Sequence, residues 1–129
     1  MNHATTNAWI ILAIDFRADS KFISLEKIIS AADALNHAIP TCEELQTAIG
    51  WLSEQGFVEE QNKSFGLTSL GRNLMADIKS KTEKPFEGWK LLEQRFVHAK
   101  TPSKLAEISE SEWQRSYENY YSRATRLLK

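Results

Sequence analysis

Residues 41–71, TCEELQTAIGWLSEQGFVEEQNKSFGLTSLG, contain the signals that decide the fold of this chain. Thr41 and Glu44 have the spacing of a capping box, in which each side chain accepts a hydrogen bond from the other residue's backbone amide. Gly56 supplies the left-handed residue that commonly ends a helix. Between them, apolar residues recur at helical spacing, at Leu45, Ala48, Ile49 and Leu52. The stretch therefore begins with a helix that buries one face.

A short hairpin is predicted directly after this helix. Phe57 and Val58 begin a strand, residues 61–64 are polar turn residues, and a returning strand follows. Thr68 can cap a further helix over residues 69–79. Apolar residues recur every fourth position in that helix, at Leu70, Leu74 and Ile78.

Two more helices are predicted before this stretch. Residues 8–18 are apolar on nearly all sides, which indicates a helix covered on more than one side. Either it is the central core helix of a monomer, or it lies between its own domain and a C-terminal or partner helix. Residues 21–23 are a candidate strand, and Ser24 can cap a second helix that ends near Asn36. The apolar face of the second helix comprises Leu25, Ile28, Ile29, Ala32 and Leu35.

The order helix, helix, helix, hairpin, helix resembles a winged helix-turn-helix domain. The segments WLSEQGFV at 51–58 and LTSLGRNL at 67–74 are similar to the end of the third helix and the exit from the wing in MarR-like and PadR-like transcription regulators. The resemblance covers residues 8–78. It implies a mainly α fold with a small β-hairpin, and it suggests transcription control by contact with double-stranded DNA.

A C-terminal helical extension, residues 83–129, is predicted to follow a winged-helix domain of residues 1–82, with TEKP at 82–85 as the linker. One helix is indicated by apolar residues at Phe86, Trp89, Leu92 and Phe96. Ser109 and Glu112 form a second capping box and start a helix that reaches about Leu128. Its residues with coiled-coil spacing, the aromatic seam, are Trp113, Tyr117, Tyr120, Ala124 and Leu127.

The aromatic seam has two interpretations. It docks on its own domain, or it pairs with a second copy in a homodimer, as the resemblance to winged-helix regulators suggests. Large aromatic side chains are atypical of coiled coils, which favours docking within the chain.

Length and composition describe one ordinary globular unit: 129 residues, 42% hydrophobic and 26% charged. The longest apolar run, residues 8–14, is too short to span a bilayer, so we expect a cytoplasmic protein without membrane contact. The single cysteine excludes an intramolecular disulfide and a cysteine-based zinc site. No catalytic, cofactor or metal motif is present in the sequence, and His3 and His98 lack metal-ligand spacing, so neither an enzyme nor a cofactor is expected.

Charge argues against strong DNA binding. Residues 1–82 include 7 basic and 10 acidic residues, whereas the remainder has 9 basic and 7 acidic. At 100° per residue, the outward stripe of the third helix contains no basic residue, since it comprises Glu43, Thr47, Gly50 and Glu54. Proteins that bind DNA by neutralising phosphates normally present a basic face.

If the third helix and the wing do read DNA, few side chains are available for it. The DNA-binding candidates are Thr41, Gln46, Thr47, Lys63 and Arg72. Of these, Gln46, Thr47 and Lys63 are the best placed for direct contact, whereas Arg72 would touch the backbone at the periphery with Lys21 and Lys27. The alternative function is a winged helix used as a protein-interaction or assembly module, for which an acidic helix face is no handicap. Its candidate residues are Trp51, Trp113, Tyr117 and Tyr120. For Trp51, the competing interpretation is burial beneath the C-terminal segment.

Three smaller features have a functional and an ordinary interpretation. Asp33 and His37, at i and i+4, could hold a ligand or simply stabilise a helix end. Cys42 could have a thiol pKa lowered by the first turn and sense oxidation, or be a small residue near a cap. Four basic residues of the last helix could bind an anionic partner or be a solvated face: Arg115, Arg123, Arg126 and Lys129.

Overall fold

Short polar residues at the expected positions start the helices of this chain. In the computed structural model, which describes residues 1–16 and 18–127, the hydroxyls of Ser24, Thr41 and Thr68 accept hydrogen bonds from backbone amides three residues later. Glu44 accepts from the Thr41 amide at 2.9 Å, which completes the predicted capping box. The fold is mainly helical with a small antiparallel sheet. Its elements are α1 His3–Phe16, β1 Ile23–Ser24, α2 Leu25–Asn36, α3 Cys42–Glu54, β2 Val58–Gln61, β3 Ser64–Leu67, α4 Ser69–Lys81, α5 Pro85–Arg95 and α6 Glu110–Leu127.

The sheet has the strand order β1-β3-β2, and both pairings are antiparallel. Asn62 and Lys63 form the two-residue turn between β2 and β3, with φ of 51° and 63°, the left-handed conformation that tight hairpins require. This turn is shorter than predicted because residues 61 and 64 pair within the strands. Strand β1 also begins two residues later than predicted. The order of elements and the sheet topology are compatible with a winged helix.

Helix α1 occupies the centre of the core, and every residue of positions 6–14 is buried. It packs against α2, α3 and α5. The indole nitrogen of Trp9 donates to the Ala32 carbonyl at 3.0 Å, and its ring stacks on Trp89 of α5 at 6.2 Å. This helix is apolar on nearly all sides because three helices of its own chain surround it.

Two predicted core positions are exposed, which corrects the sequence analysis. Leu70 has 52% of its surface exposed, because α4 is rotated so that Gly71, Met75 and Ile78 form its buried face. Phe86 is 62% exposed. It lies in the first turn of α5, where one face of its ring stacks on Trp89.

Helix α6 packs against α2 of its own chain. The indole nitrogen of Trp113 donates to the Pro40 carbonyl at 3.0 Å, and the Tyr120 hydroxyl donates to the Asp33 carboxylate at 2.5 Å. Residues of the aromatic seam therefore contact their own chain, as the interpretation of docking on its own domain predicts. The Leu127 side chain, Leu128 and Lys129 lie outside the described residues. Within the part of the chain that the structure describes, no helix is long and apolar enough to cross a membrane.

Candidate interaction site on the third helix

Residues 102–109, which we call the strap, run without regular secondary structure from the end of α5 towards α6, along the outward face of α3. The amide of Ala106 donates to the main-chain carbonyl of Gln46 at 2.9 Å. The side-chain amide of Gln46 in turn donates to the Ile108 carbonyl at 2.6 Å. The strap therefore covers part of the α3 face that sequence analysis assigned to DNA reading, around Gln46 and Gly50, whereas Glu43 remains exposed.

The strap is antiparallel to α3. Its backbone bends at residues 103 and 104, and the Ile108 amide donates to the Ala106 carbonyl at 2.9 Å, which forms a tight turn at Glu107. The strap meets Glu54 at residues 103 and 104, and it meets Cys42 at residues 108 and 109. Because Cys42 and Glu54 are the first and last residues of α3, the strap runs along almost the whole length of the helix.

Gly50 is the position that allows this close approach. A Cβ at residue 50 would lie 2.5 Å from the Lys104 carbonyl oxygen and 3.2 Å from the Ala106 nitrogen. In an α-helix the Gln46 carbonyl already accepts from the amide four residues later, but its second lone pair is free for another donor. A side chain at residue 50 would shield that carbonyl. A glycine in a helix interior is less stable than alanine by roughly 0.5–1 kcal/mol. At residue 50 this cost is explained by the strap, which leaves no room for a side chain.

Glu54 holds the beginning of the strap. Its carboxylate accepts from the Lys104 amide at 3.0 Å and faces the Ser103 hydroxyl at 3.5 Å. A carboxylate in the last turn of a helix is unfavourable because the helix dipole is negative there. The hydrogen-bond donors of the strap offset this unfavourable interaction with the helix dipole. The presence of a glutamate at position 54 therefore has a structural reason that does not involve DNA.

At the other end of the strap, Ile108 is buried with 4% of its surface exposed. The Cys42 sulfur lies 3.8 Å from the Ile108 carbonyl oxygen and 3.9 Å from that of Ser109. Burial raises the pKa of the Cys42 thiol above its usual range, and the negative charge of Glu110 adds to the effect. This direction is opposite to the lowered pKa that the oxidation-sensor interpretation requires, and it favours the other interpretation, a small residue near the cap.

The tip of the hairpin forms an ion pair with the first turn of α6. The Lys63 ammonium lies 3.6 Å from a carboxylate oxygen of Glu112. The predicted capping box is present, since the Ser109 hydroxyl accepts from the Glu112 amide at 3.1 Å and the Glu112 carboxylate accepts from the Ser109 amide at 3.4 Å. The carboxylate also accepts from the Ser109 hydroxyl at 3.0 Å. These contacts, first the Ser109 hydrogen bond and then Lys63, hold the pKa of the Glu112 carboxyl below its usual range.

The candidate DNA contacts do not form one basic surface. Gln46 is engaged by the strap and Lys63 by Glu112. Arg72 donates from its guanidinium to the Leu67 carbonyl at 2.9 Å and to the Ser69 hydroxyl at 3.0 Å. The Thr41 hydroxyl caps α3, Thr47 is half-buried, Lys27 pairs with Asp19 at 2.7 Å, and Lys21 is exposed.

The aromatic residues proposed as interaction candidates are buried or half-buried against other residues of the same chain. Trp51 has only 9% of its surface exposed, and its ring meets Phe96 edge to face at 4.9 Å. The C-terminal segment thus covers Trp51, so this residue is not the exposed anchor that the interaction hypothesis used. Trp113, Tyr117 and Tyr120 are half-buried, with Trp113 stacked on Tyr117 at 5.5 Å.

The remaining candidates take ordinary structural roles. His37 ends α2 in the left-handed conformation, with φ of 54°, and its amide donates to the Asp33 carbonyl at 2.7 Å. The Asp33 carboxylate accepts from Tyr120 instead of facing the imidazole. On α6, Arg123 pairs with Glu26 at 2.5 Å, whereas Arg115 and Arg126 are exposed. Lys129 lies outside the described residues. Among residues 1–16 and 18–127, no group of three metal-ligating side chains is close enough to hold a metal ion.

The strap is the feature that sequence analysis missed. Residues 103–108 have neither helical nor alternating apolar periodicity over a sufficient length to predict a contact. The available signal was Gly50, a glycine in the middle of an otherwise well-specified helix, together with the uncompensated Glu54. Both residues were assigned to the outward stripe, and both touch the strap.

Comparison of the chain with protein-family models, with characterised proteins and with solved structures gives no match.

Proposed function

We propose that this chain is a winged-helix protein that works as a protein-interaction module and does not read DNA through α3. The observation that carries the proposal is the position of the strap on the outward face of that helix. Helix-turn-helix proteins that read DNA insert this face into the major groove. A duplex and the strap cannot occupy it together.

Charge supports the same proposal. The exposed charged side chains of α3 are the carboxylates Glu43 and Glu54, and the hairpin cation Lys63 lies 3.6 Å from the Glu112 carboxylate. Carboxylates near phosphates are repelled, and there is no matching release of counterions to favour binding. A protein surface with cationic groups is a better partner for such a face.

Transcription control by DNA contact is the second candidate function. It is favoured by the placement of α2 and α3 before the β2–β3 hairpin, and by the irregular backbone of the strap. Release of the strap would uncover Gln46. Under this alternative, DNA binding requires that the strap first leave α3.

Titration of a random DNA duplex at about 50 mM salt separates the two candidates. The wild-type chain is compared with Ala106→Pro, which lacks the amide that donates to Gln46. We expect neither protein to bind. Salt-dependent binding by Ala106→Pro that disappears after Gln46→Ala and Lys63→Ala are added would establish DNA reading and end the proposal. Circular dichroism of each variant checks that the helices are intact.

A further inference from the structure

We propose that the α3 face beneath the strap is a groove for a cation-bearing segment of a protein partner, and that the strap is its displaceable intramolecular ligand. This inference rests on the proposed function, which it deepens by naming the partner's chemistry.

The groove has three distinct features along α3. At one end, the Glu54 carboxylate accepts a backbone amide. In the middle, Gly50 leaves room for main chain, and Gln46 offers a carbonyl acceptor and an amide donor. At the other end, the Cys42 sulfur lies beside the Ile108 carbonyl, and the Ile108 side chain is buried. These contacts engage mainly backbone groups of the bound segment, so another peptide that follows the same irregular path can reproduce them.

The burial of the strap residues defines which residues a partner must supply. Lys104, Leu105 and Glu107 are exposed, whereas Ala106 is half-buried at the glycine position and Ile108 is buried. The partner segment therefore needs a small residue and, two positions later, an aliphatic residue.

The rim of the groove is acidic, which selects for positive charge in the partner. Glu54 lies on α3, and Glu60 lies across an open cleft of about 380 Å³ between α3, the hairpin and the strap. The strap itself places Lys104 at this rim, with its ammonium 3.8 Å from Glu107. A partner with a cation at the positions of both Lys104 and Glu107 is attracted to the acidic rim more strongly than the strap, which has a glutamate at the second position.

The strap can be displaced because most of its side chains are exposed. Within residues 102–109, only Pro102 and Ile108 are buried, and the hydrogen bonds to Glu54 form at an exposed carboxylate. Its ends are anchored by α5 and α6, so its effective concentration at the groove is on the order of millimolar. A free peptide must therefore compete with it, and weakening the strap should reveal the groove.

The test uses the full chain and fluorescently labelled synthetic peptides. The peptide PSKLAEIS has the strap sequence, PSKLAKIS replaces its glutamate by lysine, and PSELAEIS replaces its lysine by glutamate. Anisotropy titrations compare wild type with Ile108→Ser and with Ala106→Pro, two independent ways to weaken the strap. We expect PSKLAKIS to bind both variants on the order of tenfold more tightly than wild type, with PSKLAEIS weaker and PSELAEIS weakest.

The decisive control adds Gly50→Ala to each weakened variant, because a methyl group at that position occupies the path of the bound backbone. Binding that persists after Gly50→Ala, equal binding by all three peptides, or no binding to either variant would each overturn the groove proposal. The proposed function is tested separately, by the titration with a DNA duplex. If the peptides fail and DNA is also not bound, the groove proposal alone is lost.

Discussion

The backbone of Lys104 lies directly over Gly50: a Cβ on residue 50 would be 2.5 Å from the Lys104 carbonyl oxygen. Carbon and oxygen atoms that are not bonded do not approach so closely, and the obstructing atom belongs to the main chain. The strap and a side chain at residue 50 are therefore incompatible without movement of one of them. This single pair of residues controls whether the outward face of α3 is covered.

Gly50→Ala is expected to release the strap while α3 remains folded. Alanine favours a helix interior over glycine by up to about 1 kcal/mol, which opposes the loss of the strap contacts and limits the change in unfolding free energy. The measurable result is faster limited proteolysis within residues 97–109.

The matched control for this variant is Gly88→Ala in α5. There a Cβ would meet only the Ile78 Cγ2 atom at 3.4 Å, an ordinary contact. We expect it to stabilise the chain by roughly 0.5–1 kcal/mol without exposing the strap. Equal protection of residues 97–109 in wild type and Gly50→Ala would contradict the structural role of Gly50.

The reactivity of Cys42 reports on the same movement. The thiol is buried, its pKa is raised, and the strap carbonyls of Ile108 and Ser109 lie beside its sulfur. We expect slow modification of wild type by a disulfide reagent at neutral pH, since the thiolate is the reactive form. In Gly50→Ala the rate should rise several-fold. Unchanged kinetics would indicate that the strap does not limit access to Cys42.

Trp51→Ala tests whether Trp51 is a core residue or a surface anchor. Because the ring is buried against Phe96, its removal should lower the free energy of unfolding by about 3–5 kcal/mol. Phe86→Ala, at a position 62% exposed, is the aromatic control and should cost much less. Urea denaturation measures both. A small loss for Trp51→Ala would return that residue to the list of binding candidates.

Tyr120→Phe tests the docking of α6 on α2. The substitution keeps the ring and removes the hydroxyl that donates to the Asp33 carboxylate, a contact expected to contribute about 1–2 kcal/mol. Tyr121→Phe is the neighbouring control, at a position 58% exposed, and should change stability by less than about 0.5 kcal/mol. Similar stabilities for the two variants would show that the Asp33 contact contributes little in solution.

Acid should weaken the start of α6 through Glu112. Its pKa is lowered in the folded chain by Ser109 and Lys63, below an ordinary value of 4.5. The stability that the carboxylate contributes is therefore complete above the unfolded pKa and is lost as pH falls through the folded pKa. Urea unfolding of wild type and Glu112→Gln between neutral pH and pH 3 measures this difference. It should shrink below about pH 4.5, and a difference independent of pH would rule out this linkage.

Much of the local structure could be predicted because it depends on residues close together in sequence. The caps at Ser24, Thr41, Thr68 and Ser109 act over three residues, and each starts a helix in the structure. The apolar periodicity of α2 and α3 likewise identified their buried faces. In α4 and α5 the apolar periodicity predicted burial wrongly for Leu70 and Phe86, because repeat spacing does not determine which side of a helix meets its neighbour.

The sequence by itself determined the helices, the hairpin and the acidic character of α3, since these follow from local hydrogen bonding and composition. Only the tertiary structure decided what the outward face of α3 contacts. The bonds that place the strap join residues 50 and 62 positions apart, from Lys104 to Glu54 and from Gln46 to Ile108, and on the strap they use main-chain groups that every residue possesses. Such main-chain groups leave no pattern in the sequence of the strap, and on α3 only Gly50 and Glu54 indicate the contact.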